Sequence, residues 1–177
     1  MDFELEQQDI IITKVKKLHR ELFSAYGDCG SQPDSEPTWF ASGSRTEGVS
    51  ESKELNDENP IADLWIIDNL EFRNGNPYLG YVRYYHQGFR VSQLERHRFE
   101  SQTWIALEHK SILVVAPDEG NSVPKIECVE AFLIVPGDVV AIRRGVWMCH
   151  FFPIGEEASF NVITERREPE QDRDLLD

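Results

Sequence analysis

Cysteine is scarce: the chain holds only Cys29, Cys128 and Cys149. An odd count without CxxC spacing gives neither a disulfide framework nor a zinc knuckle, so reduced thiols in a cytoplasmic protein are expected. No apolar run approaches the roughly 20 residues that cross a bilayer. Met1–Gln8 is acidic and lacks the basic, then apolar, segments of a signal peptide. Positive charge is also short, and the formal net charge is -14. Such a surface repels phosphate backbones and anionic lipid, which argues against nucleic acid and membrane as partners. Two features are missing from the pattern: there is no βαβ alternation, hence no Rossmann-type sheet, and there is no internal repeat.

What is present suits one domain. The 177 residues are 40% apolar and 11% aromatic, enough for a single core. Ile10–Val15 is β-branched and reads as a first strand. Leu18, Leu22, Phe23 and Tyr26 fall at helical offsets, which predicts a short helix over Leu18–Tyr26 ended by Gly27. Asp28–Pro60 is rich in Ser, Gly, Pro and acid and reads as a loop-like acidic insertion. Residues Ser31–Asn59 carry seven acidic groups against Arg45 and Lys53, and Glu165–Asp177 carries six against three basic ones. Both read as solvated, and the tail as fraying.

After Pro60 the chain becomes a series of short strands. Ala62–Leu70 is apolar, and Asn74-Gly75-Asn76-Pro77 is turn chemistry. Leu79–Tyr85, Phe89–His97, Gln102–Leu107, Ser111–Pro117, Cys128–Val135, Val139–Ile142, Met148–Pro153 and Ser159–Thr164 follow. All are β-branched or aromatic and bounded by Gly, Pro, Asn or charge. Closely spaced short strands predict an all-β sandwich or barrel.

Glu95 and His97 lie two apart in a predicted strand, so period-2 geometry puts both on one face and Arg96 on the other. A reversal over Arg98–Ser101 would let Gln102 and Trp104 open a neighbouring strand. In a barrel these four would gather around one cavity, an acid/base and hydrogen-bonding set in an aromatic pocket. The plain alternative is a Glu–His pair on an exposed strand. Arg83 could clamp a carboxylate or form an outward salt bridge. Arg143 and Arg144 alternate faces, so only one can look inward, and there it would need an anion. Trp104 and Trp147 either line the pocket or pack in the core. Cys149 and His150 are adjacent, and strand alternation would send them to opposite faces, which excludes a nucleophilic dyad. His19 and His86 read as surface residues.

Glu95-x-His97 followed by Gln102 is similar to the first cupin motif, and Pro136-Gly137-Asp138 with Arg144–Met148 occupies the place of the second. Longer words are more specific. Phe23-Ser24-Ala25-Tyr26-Gly27-Asp28, Leu94-Glu95-Arg96-His97 with Ser101-Gln102-Thr103, Val114-Val115-Ala116-Pro117 with Glu130-Ala131-Phe132, and Arg144-Gly145-Val146-Trp147 resemble the ureidoglycolate lyases in order and spacing, from about Ile10 to Thr164. The resemblance implies a cupin-type double-stranded β-helix barrel with a short N-terminal helix, usually a homodimer. It implies cleavage of ureidoglycolate to glyoxylate and urea, as in purine-nitrogen recovery. Glu95 and His97 would be catalytic. Gln102, Arg83, Arg143, Trp104 and Trp147 would bind the small carboxylate substrate. A divalent metal would be held through Glu95, His97 and Gln102. The family carries a His directly after the Val-Trp of its late signature, where this chain has Met148, a soft and weak ligand. His109-Lys110-Ser111 stands where the family turns on Gly. Two alternatives therefore stand beside the lyase: a non-catalytic or regulatory small-acid-binding cupin that lost the late-motif His at Met148, and a metal-independent cupin enzyme on another small hydroxy or sugar acid.

Overall fold

The computed structural model describes residues 14–30, 38–39, 63–64, 76–120, 123–165 and 173–176. Two sheets carry the fold. The first is ordered β1 (Val15–Lys17), β9 (Glu130–Ile134), β8 (Ser111–Ala116), β11 (Trp147–Met148), β6 (Leu94–His97) and β14 (Arg173–Leu176), with β12 (Phe152–Pro153) also on β8. The second is ordered β2 (Gly27–Gly30), β10 (Val139–Ile142), β7 (Gln102–Glu108), β13 (Glu157–Glu165) and β5 (Pro77–Tyr85). β3 (Thr38–Trp39) and β4 (Asp63–Leu64) form a separate pair. From β5 onward the chain passes repeatedly between sheets: β6 in the first, β7 in the second, β8 and β9 in the first, β10 in the second, β11 and β12 in the first, β13 in the second. That alternation is the path of a double-stranded β-helix, and the all-β reading of the sequence is the observed one.

β8 shows why its sequence is apolar on every residue after Ser111. Leu113 and Val115 point into the main core, while Ile112, Val114 and Ala116 pack in a second cluster with Val91, Leu94 and Trp147. A strand buried on both faces loses the usual polar alternation. Phe160 and Val162 of β13, Val140 and Ile142 of β10, and Trp104 and Ala106 of β7 complete the main core between the sheets. Within it, Phe23 meets Phe132 edge-on with centroids 5.2 Å apart.

Several boundaries differ from the sequence reading. The helix is α1 (Arg20–Phe23), four residues long, because Gly27 already belongs to β2. Asp28–Gly30 is therefore strand and not the start of an acidic loop. Its pairing with β10 is so close that a Cβ on Gly27 would sit 1.8 Å from the Ala141 carbonyl oxygen, which requires glycine there. Buried Asp28 accepts two hydrogen bonds from Arg20, at 2.9 and 2.8 Å, and so ties α1 to β2. The first strand is Val15–Lys17, and Ile10–Thr13 lies outside the described residues, as do most of 31–75 and 166–172. The tail is not wholly frayed: β14 pairs antiparallel with β6. Met148–Pro153 divides into β11 and β12 around three non-strand residues. At the β7–β8 turn His109 adopts φ 62°, the left-handed conformation that glycine adopts without strain. Among the described residues, no helix is long and apolar enough to cross a membrane.

Candidate functional site inside the barrel

β6 brings Glu95 and His97 to the inner face of the first sheet, and Arg96 to the outer face, where its guanidinium lies 4.6 Å from the Trp147 ring centroid. The connection 98–101 crosses to the second sheet. β7 then pairs with β10 and β13 and not with β6. Gln102 and Trp104 thus meet the Glu–His pair across the barrel and not along a shared strand edge. His97 Nε2 lies 2.9 Å from Gln102 Nε2 and 3.9 Å from Glu95 Oε1. The Trp104 indole donates to Gln102 Oε1 at 3.3 Å. On the other side of the ring, His97 Nδ1 lies 3.7 Å from Glu100 Oε1, a buried carboxylate that accepts a 3.0 Å hydrogen bond from Thr164.

The walls are aromatic. Tyr84 of β5 packs on Trp104, Phe151 and Phe160, with centroids 5.8 to 6.2 Å away. Burial first, and then the negative fields of Glu95 and Cys149, push its phenol above the usual tyrosine range. It therefore stays a hydrogen-bond donor throughout the neutral range. His150 is exposed at the mouth of this aromatic group; its ring stacks on Tyr84 at 6.2 Å, and partial desolvation holds its imidazole below the ordinary value against the opposing pull of Glu95. Cys149 Sγ lies 3.4 Å from His150 Nδ1. The two side chains do meet, because residues 149–151 are not strand and alternation does not govern them. Burial nevertheless drives the thiol up to about 12, with His150 opposing and Glu95 adding, and the residue is 1% exposed. A thiol so placed is a poor nucleophile.

Three residues expected to bind substrate lie elsewhere. Arg83 alternates with inward Val82 and Tyr84, so it faces out, 3.7 Å from Glu157. Arg143 is exposed at the end of β10, and Arg144 is exposed too, so neither looks inward. Trp147 packs in the outer cluster, one residue off the inward Met148. Tyr84 and Glu100 are members of the site that the sequence does not single out. Tyr84 had a signal, its parity with Val82; Glu100 had none, since its anchor Thr164 is 64 residues away.

The implied metal does not fit these donors. Gln102 turns its oxygen to Trp104 and its amide nitrogen to His97 Nε2, so the imidazole lone pair faces an N–H. Met148 stands opposite Glu95 in register and is 2% exposed. No three His, Cys, Asp or Glu side chains among the described residues are arranged to hold a metal ion.

The family model for ureidoglycolate lyase matches residues 10–176. The chain belongs to the ureidoglycolate lyase family. A ureidoglycolate lyase of Schizosaccharomyces pombe is 28% identical over 156 residues, covering 80% of this chain and 79% of that one. A ureidoglycolate lyase of Mesorhizobium japonicum is 30% identical over 79 residues, 45% of this chain and 47% of that protein. A protein of Agrobacterium fabrum, provisionally named for the same activity, is 34% identical over 71 residues, 40% and 44% of the two chains. The two bacterial matches thus span less than half of either relative. Among solved structures the chain is similar to a dTDP sugar isomerase of Desulfovibrio desulfuricans, with TM-score 0.46 at 12% identity, covering 70% of this chain and 78% of that one. It is also similar to the oxalate decarboxylase of Lactobacillus farciminis, with TM-score 0.42 at 16% identity, covering 58% and 27%.

His150 gives this family member a testable pH dependence. Its native imidazole binds a proton less readily than the unfolded one, whose value is about 6.5. Below that value the unfolded state holds more protons, so stability falls as pH falls toward the lowered native value and levels off above about 6.5. His150→Gln is expected to shrink the loss of stability between about pH 7.5 and pH 5.5 relative to wild type. Urea midpoints at the two pH values check this; an equal loss in both proteins would show that His150 contributes nothing.

Proposed function

We propose that the barrel interior cleaves ureidoglycolate to glyoxylate and urea. The observation that carries this is the convergence of Glu95, His97 and Gln102 beside Trp104, in a chain of this family. The substrate hydroxyl takes the place of the Gln102 amide at His97 Nε2 and gives up its proton there. The oxygen electrons form the aldehyde carbonyl, and the carbon–nitrogen bonding pair leaves with the urea nitrogen. That nitrogen takes the proton back from the imidazolium, so no water is consumed. Glu95, 3.9 Å from the same nitrogen, stabilises the imidazolium while it exists. No Lys or Arg among the described residues is buried. The substrate carboxylate is therefore assigned to neutral donors, the Tyr84 hydroxyl and the displaced Gln102 amide. In the same reading the protein is a cytoplasmic homodimer; unpaired Cys29, Cys128 and Cys149 support a reducing compartment.

A second reading is favoured by one residue. Met148, buried opposite Glu95, stands where the family pattern has His, which suits a pocket that binds a small acid without turning it over. The purified protein incubated with ureidoglycolate separates the two. The lyase reading expects glyoxylate and urea in equal amounts, above the uncatalysed background. No turnover, with heat stabilisation by hydantoate (the substrate without its hydroxyl), leaves the binding reading standing.

A further inference from the structure

We propose that Glu100 is a positioning residue: with Thr164 behind it, it holds the proton of His97 on Nδ1 and leaves Nε2 unprotonated toward Gln102. The inference rests on the barrel interior being the site. Its logic starts from a group with no choice. An indole N–H can only donate, so the Trp104 contact at 3.3 Å fixes Gln102 Oε1 as the acceptor and Gln102 Nε2 as the donor. That amide lies 2.9 Å from His97 Nε2, which must then accept. In a neutral ring the proton is left on Nδ1. Nδ1 faces Glu100 Oε1 at 3.7 Å, long for a hydrogen bond but close for a negative charge beside an N–H dipole.

The carboxylate is held there from across the barrel. The Glu100 side chain is 4% exposed, and Thr164 of β13 donates to the same oxygen at 3.0 Å. A carboxylate placed that deep is costly unless polar groups meet it. Here a buried hydroxyl and the back of the candidate base meet Oε1, while Oε2 is buried and makes no hydrogen bond among the described residues. Trp104, Gln102, His97, Glu100 and Thr164 thus form one continuous row, fixed at each end by a residue of the second sheet. The row presents a lone pair, and not an N–H, to whatever enters from the Gln102 side. When Nε2 takes a proton, the charge that forms sits next to Glu100. Such a residue touches no reacting atom and acts through the imidazole.

The test reads the ring directly by ¹⁵N NMR of histidine-labelled protein, with His97 assigned by its absence in His97→Ala. Wild type is expected to show Nδ1 protonated and Nε2 bare. Glu100→Gln, whose amide oxygen still accepts at Nδ1, is expected to keep that pattern. Glu100→Ala takes away what holds Nδ1–H in place, so the ring and the Gln102 amide are free to turn; the Nε2–H tautomer is then expected beside the first, with kcat lower by about tenfold or more and KM changed less than about twofold. Should Glu100→Ala not fold, Glu100→Asp withdraws the carboxylate by one methylene and is read in the same way. An unchanged Nδ1–H pattern in the alanine or aspartate variant overturns the proposal. Because the NMR readout needs no turnover, a protein inactive on ureidoglycolate but with shifted tautomers in these variants would sink the lyase reading and leave the positioning role intact.

Discussion

His97→Ala is expected to lower kcat/KM for glyoxylate release by roughly a hundredfold to ten-thousandfold, the range for losing a positioned general base. No other described group can replace it in place. Glu95 lies 3.9 Å from the same nitrogen and would need to move into the vacated volume, losing the imidazole it faces. His150 is tied to Cys149 at 3.4 Å and lies flat on Tyr84. Stability should fall too, by about 1–3 kcal/mol, because buried Glu100 loses one of the groups that meet it. The His97 side chain is 16% exposed and belongs to neither apolar cluster, so no large dry cavity adds to that cost. Parallel kinetics and urea unfolding separate the two effects. A loss smaller than about threefold in kcat/KM would mean that the hydroxyl proton goes elsewhere.

Phe160→Ala should be the most destabilising of the substitutions considered, by about 3–5 kcal/mol. The ring is fully buried and stacks on Phe151 with centroids 4.1 Å apart at 30°. It also meets Tyr84 and Trp104 edge-on at 6.0 and 6.2 Å. Phe160 thus shares with Phe151 the support of the two aromatics that wall the site. Removing it deletes apolar contact from three rings at once, in a protein whose total stability is of the order of 5–15 kcal/mol. Urea unfolding is the measurement, and an unchanged m-value keeps the comparison two-state. A cost under about 1 kcal/mol would show that the aromatic wall collapses to fill the space, and that it does not hold Trp104 in place.

The sequence carried the fold well where burial imposes a period. Val139–Ile142 is a strand from end to end as read, and Ser111–Ala116 was visible as an unbroken apolar run. It carried less where the signal is a long-range pairing. Asp28–Gly30 reads as loop because Gly and Asp have little strand character, yet Gly27 is there to let β2 approach Ala141. Arg173–Leu176 reads as polar tail, and only β6 makes it a strand.

The site divides in the same way. Glu95 and His97 share a face because two residues separate them. Their meeting with Gln102 and Trp104 follows from a crossing between sheets that local pattern cannot display. Arg83 and Trp147 each keep two readings in the sequence for one reason: strand periodicity says which residues share a face, not which face is inside. Val82 and Tyr84 on either side of Arg83, and Met148 beside Trp147, settle it once the core is known.

The central claim is that a small acid is received at the end of the Trp104–Gln102–His97 row inside the barrel. Titration of the labelled protein with hydantoate, followed through the indole N–H and imidazole nitrogen signals, tests it most directly. Four tryptophans give resolvable reporters, with Trp104 inside and Trp147 on the outer face. The expected result is that the Trp104 and His97 signals shift together and saturate while Trp147 stays in place. Fixed Trp104 and His97 signals at saturating hydantoate, with or without movement of Trp147, would contradict it.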